Sequence, residues 1–142
     1  MSAKRGAPVR EEGSVCALHF RARTLGASTG RVNQVIYELR TYEAAPGKMR
    51  ALQARFRDQT LPIWEKHGIT PVGFWTYAHG GWTDQLVYML QFEDLADRTA
   101  RFASFRTDAD WATAVKESEK DGPLTIRTRS DFLQPTDFSP LQ

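Results

Sequence analysis

Hydrophobic and polar residues alternate along residues 34–43, whose sequence is QVIYELRTYE. Successive side chains of a strand point to opposite sides of a sheet, so this alternation predicts a strand with one apolar and one mixed face. The apolar set is Val35, Tyr37, Leu39 and Thr41, and the mixed set is Ile36, Glu38, Arg40 and Tyr42.

The next segment changes to a helical spacing of apolar residues. After the turn AAPGK, apolar residues recur every three or four positions from Lys48 to His67, which is the period of an amphipathic helix. Pro62 falls inside this run, where its missing N–H group should bend the helix or split off its last turn. Gly68 supplies the left-handed cap that ends the helix.

The remaining body of the chain contains three further strands and two further helices. Two predicted strands, ITPVGFWTY (69–77) and QLVYMLQFE (85–93), are joined by the Gly-rich connection AHGGWTD. Asp94 is a favourable N-cap for a helix, and Asp108 is a favourable N-cap for a shorter helix. The buried residues predicted in the shorter helix are Trp111, Ala112 and Val115. The fourth predicted strand is PLTIRTRSDFLQP (123–135).

The predicted order β-α-β-β-α-β is that of an α+β, ferredoxin-like domain, a four-stranded antiparallel sheet with helices on one face. The helix-free face would then be too apolar to leave in water. The residues expected on that face are Tyr42, Trp75 or Phe74, and Tyr88 or Met89. We therefore predict that a second copy covers this face and that the protein is a homodimer.

The chain outside this domain differs in composition. We predict that residues 1–33 form a disordered N-terminal extension, since low hydrophobicity with scattered charge does not offset the entropy of ordering. A second interpretation is that the natural chain begins near Val32 or Val35. We assign the domain to residues 34–135 and a C-terminal tail to residues 136–142.

Charge and composition argue against several classes of function. Residues 1–33 hold six of the 19 Lys/Arg and two of the 17 Asp/Glu residues, so residues 34–142 hold 13 basic and 15 acidic residues. That near-neutral body lacks the basic surface that nucleic acid requires. No apolar run is long enough for a membrane span. Glu11 and Glu12 argue against an organellar presequence, and the single cysteine, Cys16, fits a reduced, cytoplasmic setting.

Four stretches resemble, in this order and spacing, the NIPSNAP family: YELRTYEAAPGKM, LPIWEKHGITPVGFWT, LVYMLQFEDLADR and DADWATAV. The resemblance covers about Val35 to Phe132. It implies the dimeric α/β-barrel fold, in which two ferredoxin-like units face their sheets together around an internal cavity. It implies little about activity, because single-domain bacterial members, which this chain resembles, are mostly without assigned chemistry. The wider barrel superfamily includes monooxygenases and isomerases, but a fold does not determine a function.

Glu38 and Arg40 are the first candidate site residues, because they share one strand face. A structural ion pair is the favoured interpretation; the alternative is that Arg40 orients a carboxylate or an enolate oxygen in a cavity. The aromatic group Trp75, Tyr77, Trp82 and Tyr88 is interpreted as core and interface packing. Its functional alternative is a flat pocket for an aromatic ligand. Arg127 and Arg129 are interpreted as an exposed strand edge, with a place in the cavity as their alternative.

Two histidines complete the set of candidates. His67 falls at the end of the first helix, where the helix dipole favours it, and haem ligation through it is the weaker alternative. His79 falls in the Gly-rich connection, as a solvated loop residue or as a titratable base at a cavity mouth. The spacing of these histidines predicts no metal site, and we predict no cofactor.

These observations predict a NIPSNAP-type homodimer that binds a small hydrophobic molecule or a partner protein. The alternative is a cofactor-independent oxygenase or isomerase that acts on an aromatic or enolisable substrate in the barrel cavity. In that case Tyr42, Trp75 and a histidine would transfer protons. Whether the protein is an enzyme stays open at this point. The candidate pocket residues are Glu38, Arg40, Tyr42, His67, Trp75, Tyr77, His79 and Tyr88.

Overall fold

The alternating segments form four strands that pair into one antiparallel sheet. A computed structural model describes residues 35–141, so the predicted N-terminal extension at residues 1–33, with Cys16, lies outside the described residues. The strands pair in the order β2-β3-β1-β4, which confirms the predicted ferredoxin-like α+β fold. Their bounds are β1 Ile36–Ala44, β2 Thr70–Thr76, β3 Gln85–Phe92 and β4 Thr125–Leu133.

The first helical crossover is split, as Pro62 predicts. It consists of α1 (Met49–Arg55), a π-helical turn (Phe56–Thr60) and α2 (Leu61–Lys66). The Leu61 N–H group donates to the carbonyl of Phe56, five residues back. Pro62 stands in the first turn of α2, where a proline is tolerated better than in a helix interior. Gly68 then ends the segment with φ +65°, a conformation that glycine adopts without steric cost.

The second crossover contains α3 (Leu95–Arg106) and α4 (Ala109–Ser118), each begun by an aspartate. The Asp94 side chain accepts from the Asp97 N–H group at 2.8 Å, and the Asp108 side chain accepts from the Asp110 N–H group at 2.7 Å. Both N-caps follow the sequence prediction. The predicted inward side of α4 is wrong in one position, because Ala114 is buried and Ala112 is exposed.

The helices cover one face of the sheet, and aromatic rings fill the space between. Phe56 contacts the rings of Tyr42, Trp64 and Phe74 at centroid distances of 5.7 Å. Tyr88 is fully buried, and its ring centroid lies 5.3 Å from that of Tyr42. The expectation that Tyr42 lies on the helix-free face is therefore wrong. Alternation separates two sets of residues correctly but does not say which set the helices cover.

The helix-free face carries the opposite set. In β1 and β3 it contains Leu39, Val87 and Met89, all partly exposed, and the pairing of Trp75 with Val87 places Trp75 on the same side. Tyr37, also on this face, is only 4% exposed, and a depression beside it is lined by residues from Leu133 to Leu141. The segment after β4 thus covers part of this face, while Trp75 stays 50% exposed.

None of the helices within residues 35–141 combines the length and the apolar character that crossing a membrane requires.

Candidate functional site

A buried carboxylate lies at the centre of the covered sheet face. Glu38 of β1 is fully buried, and its Oε1 accepts from Nη1 of Arg40 at 2.6 Å and from Nη2 of Arg98 at 2.7 Å. Its Oε2 accepts from Nε of Arg98 at 2.8 Å, so Arg98 binds the carboxylate through two N–H groups. The Ser130 hydroxyl of β4 also donates to Oε1. Glu38 therefore links β1 to α3 and to β4.

Arg40 extends this network toward two phenols. Its Nη2 donates to the Tyr42 hydroxyl at 3.2 Å, and its guanidinium carbon lies 5.9 Å from the ring centre of Tyr88 and 5.4 Å from that of Phe102. Three buried polar atoms close to this region have no hydrogen-bond partner among the described residues. They are Nε of Arg40, Nε1 of Trp64 and the hydroxyl of Tyr88.

The network fixes the charges of its members. Burial by itself raises the pKa of Glu38, but hydrogen bonds from Arg98 and Ser130 and the charge of Arg40 outweigh it and lower that pKa. Burial likewise opposes the charge of Arg40, but nearby Tyr88, Tyr42 and Glu38 raise its pKa. Burial raises the pKa of Tyr88 well above its usual value. At neutral pH the site therefore holds a carboxylate, guanidinium groups and a neutral phenol.

His67 belongs to a different cluster at the surface of the helical layer. Its Nε2 lies 2.8 Å from Oδ2 of Asp108, and its Nδ1 lies 2.9 Å from the Ser104 hydroxyl. The hydrogen bond from His67 is the largest cause of a pKa of about 2 at Asp108, and the hydrogen bond from Lys66 adds to it. The His67 ring thus lies between Ser104 and Asp108. His67 ends α2, Ser104 belongs to α3 and Asp108 caps α4, so the cluster connects these three helices.

The other predicted residues lie apart from these clusters. His79 is exposed in the connection between β2 and β3. Tyr77 is 45% exposed and lines a polar depression with Arg127 and Arg129, two residues that pair with Glu43 and Asp131 respectively. Within residues 35–141, no three His, Cys, Asp or Glu side chains are grouped to hold a metal ion.

An aromatic cleft of about 320 Å³ lies between edge strand β2 and the π-helical turn. Phe56 and Leu86 are its buried apolar residues, Phe74 is half-buried, and Trp75 stands at its exposed side. The size is within the range of small-molecule sites. The complete lining is Gln53, Phe56, Arg57, Leu61, Phe74, Trp75, Thr76 and Leu86.

The structure brings together four of the eight candidate residues, Glu38, Arg40, Tyr42 and Tyr88, but beneath the helices. Their partners Arg98 and Ser130 were missed, because they lie 60 and 92 residues from Glu38 along the chain. Of the candidates, only Trp75 lines the cleft. No sequence signal pointed directly to the cleft, because Pro62 predicted only a bend or split of the helix beside it.

Comparison with known proteins identifies relatives of one family. The sequence profile of NIPSNAP matches residues 37–140. The mouse protein NipSnap homolog 3B is 28% identical over 79 residues, which are 56% of this chain and 31% of the mouse protein. This chain thus aligns with less than a third of the length of that relative.

Solved structures agree with the sequence match. A crystal structure of an uncharacterized NIPSNAP-like domain protein from Burkholderia xenovorans matches with a TM-score of 0.67 and 28% sequence identity. The match covers 76% of this chain and 90% of the Burkholderia chain. A NIPSNAP family protein with unknown function from Agrobacterium tumefaciens matches with a TM-score of 0.68 and 26% sequence identity. The match covers 78% of this chain and 96% of the Agrobacterium chain. These findings confirm the resemblance that the four sequence stretches indicated.

We expect Glu38→Gln to lower the free energy of unfolding by about 3–5 kcal/mol, because it leaves the largely buried Arg40 and Arg98 without a counter-charge. Chemical denaturation at pH 7 measures this loss. Glu65→Gln is the matched control, since Glu65 is exposed and its loss should change stability by less than about 0.5 kcal/mol. An equal effect of the two substitutions would contradict the role given to Glu38.

Glu38→Gln should also differ from the wild type in its stability in acid. Because the folded protein lowers the pKa of Glu38 and of Asp108, the unfolded chain binds more protons once the pH falls below about 4.5. The stability that these carboxylates contribute is present above that pH and is lost as the pH falls toward 2. We therefore expect the free energy of unfolding to fall less steeply with falling pH in Glu38→Gln than in the wild type. Chemical denaturation at a series of pH values measures this.

Proposed function

The chain belongs to the NIPSNAP family, and from this premise we propose that it works as a homodimer that binds a small hydrophobic molecule. The observation that carries the proposal is the aromatic cleft beside β2, together with the exposed apolar residues of the helix-free face. The proposed setting is the cytoplasm of a bacterial cell, which is supported by the likeness to bacterial crystal structures.

The dimer is supported by the composition of the helix-free face. Leu39, Val87 and Met89 are only partly buried there, and Trp75 is half exposed. When a second layer covers apolar residues grouped on one sheet face, the burial stabilises the assembly by roughly 25 cal/mol per Å² of apolar area. A second copy presents the same face and therefore covers it symmetrically.

We expect a dimeric mass in native mass spectrometry at micromolar concentration, and a monomeric mass for Val87→Lys, since Val87 is central to this face. Ala96→Lys is the control, because Ala96 is exposed on α3, on the side of the sheet that the helices cover. A monomeric wild-type protein under these conditions would exclude the dimer.

Ligand binding is supported by the size and lining of the cleft. Its Phe56 and Phe74 rings are 5.7 Å apart and inclined at 61°, and with Trp75 they offer apolar and aromatic contacts. Clefts of this size with a mainly apolar lining and a few polar groups are typical small-molecule sites.

We expect wild-type protein purified from cells to retain a bound small molecule, seen as an added mass in native spectra. Thr76→Trp should lose this mass, because a large side chain from the exposed wall fills the cleft. Thr70→Trp, at the other end of β2, is the control and should keep it. Retention of the same mass by Thr76→Trp would place the ligand outside the cleft.

A second candidate function rests on the unpartnered donors near Arg40. We propose as the alternative a cofactor-independent isomerase or oxygenase, in which Nε of Arg40 and the Tyr88 hydroxyl hold an enolate oxygen and Tyr42 moves the proton. Its substrate would be aromatic or enolisable, with dioxygen as the co-reactant of the oxygenase.

The alternative predicts that the protein accelerates hydrogen–deuterium exchange at the benzylic α-carbon of an enolisable ketone such as 2-tetralone, followed by NMR. Tyr42→Phe should lower that rate by about 100-fold or more, the usual contribution of a general acid or base. Tyr37→Phe, on the opposite sheet face, should leave it unchanged. Exchange no faster than in buffer would exclude the alternative.

A further inference from the structure

We propose that the aromatic cleft selects amphipathic carboxylates with an aryl body, and that Arg57 binds the carboxylate group. The inference rests on the proposed function, because it takes the cleft as the ligand site, and it adds the chemical class of the ligand and the residue that recognises it.

The first observation is the charge of the cleft. Arg57 is the one ionisable residue of its lining, and no acidic side chain belongs to it. Arg57 is exposed, and among residues 35–141 its guanidinium has no ion-pair or hydrogen-bond partner. Six other arginines of the described chain pair with carboxylates, whereas Arg50 and Arg106, like Arg57, do not; the six are Arg40, Arg55, Arg98, Arg101, Arg127 and Arg129.

The second observation is the way the π-helical turn places Arg57. In a regular α-helix, eight residues of separation would turn Leu61 about 80° away from Gln53. The extra residue of the π-helical turn rotates α2 back, so that Leu61 returns to within about 20° of Gln53. Gln53, Arg57 and Leu61 therefore face β2 together. This places the guanidinium group of Arg57 next to the apolar residues that line the cleft.

The third observation is the chemistry of the lining. A guanidinium group matches the two oxygens of a carboxylate with two parallel N–H donors, and Gln53 and Thr76 add neutral polar groups. The rings of Phe56, Phe74 and Trp75 favour edge and face contacts with an aryl group. Apolar walls beside one unpaired cation fit a molecule with an apolar body and one negative end.

The test is a titration followed by ¹H–¹⁵N NMR of the cleft amides, including Trp75 and Thr76. The probes are 4-phenylbutanoate and octanoate, with 4-phenylbutan-1-ol and octan-1-ol as uncharged counterparts. Wild-type protein should bind 4-phenylbutanoate more tightly than its alcohol by about three- to tenfold, and more tightly than octanoate. Added salt should weaken the binding of the carboxylates but not of the alcohols.

Arg57→Gln should remove the preference for the carboxylate while still binding the alcohol. Arg50→Gln is the matched control, because Arg50 is exposed on the same crossover and lies outside the cleft. Equal preference in wild type and Arg57→Gln would overturn the role of Arg57. Tighter binding of octanoate would overturn the aryl body.

The outcomes also separate this inference from the proposed function. If the alcohols shift the cleft amides and Arg57→Gln changes nothing, the inference fails and the hydrophobic site stands. If none of the probes shifts the cleft amides of the wild type, or if Thr76→Trp binds the probes as well as the wild type does, the hydrophobic site fails as well.

Discussion

The burial of one carboxylate, Glu38, constrains how the helices and the edge strand pack against the sheet. Transfer of Glu38 from water into the space between sheet and helices costs several kcal/mol unless its oxygens find charged partners. Arg40 supplies one, Arg98 supplies a bidentate pair, and Ser130 adds a hydroxyl. These partners come from β1, α3 and β4, so the ionic network is complete only when the second crossover is docked and the edge strand is paired. A shift of β4 by one residue against β1 would turn Ser130 to the other face of the sheet, so the network favours the observed register.

The irregular first crossover is the second constraint. A proline inside a helix removes one hydrogen bond and crowds the preceding turn, and here the chain meets it with a π-helical turn immediately before α2. That turn moves Leu61 onto the side of Gln53 and Arg57, and all three residues line the cleft beside β2. Local backbone geometry, not a catalytic motif, therefore sets which residues of the first crossover line the cleft.

The sequence predicted the fold well because its signals are local. Period-two alternation gave the strands, aspartates at 94 and 108 gave both N-caps, and Pro62 gave the split crossover. The predicted face of Tyr42 was wrong for a physical reason: alternation is symmetric, and only packing decides which set of residues the helices cover. The partners of Glu38 were beyond reach for another reason, since contacts across 60 and 92 residues leave no spacing pattern.

Trp75 connects the two surfaces on which the functional proposals rest. It lines the cleft, and its pairing with Val87 places it on the helix-free face. Gly73 allows this position, because a Cβ atom there would lie 2.8 Å from the indole ring. A second copy seated on the helix-free face would cover the exposed half of Trp75 and fix the outer side of the cleft. In the proposed dimer, formation of the interface and ligand binding would be coupled through one side chain, since each would limit the positions that the indole can adopt. The buried network beneath the helices, already satisfied around Glu38, holds the sheet on which both surfaces stand.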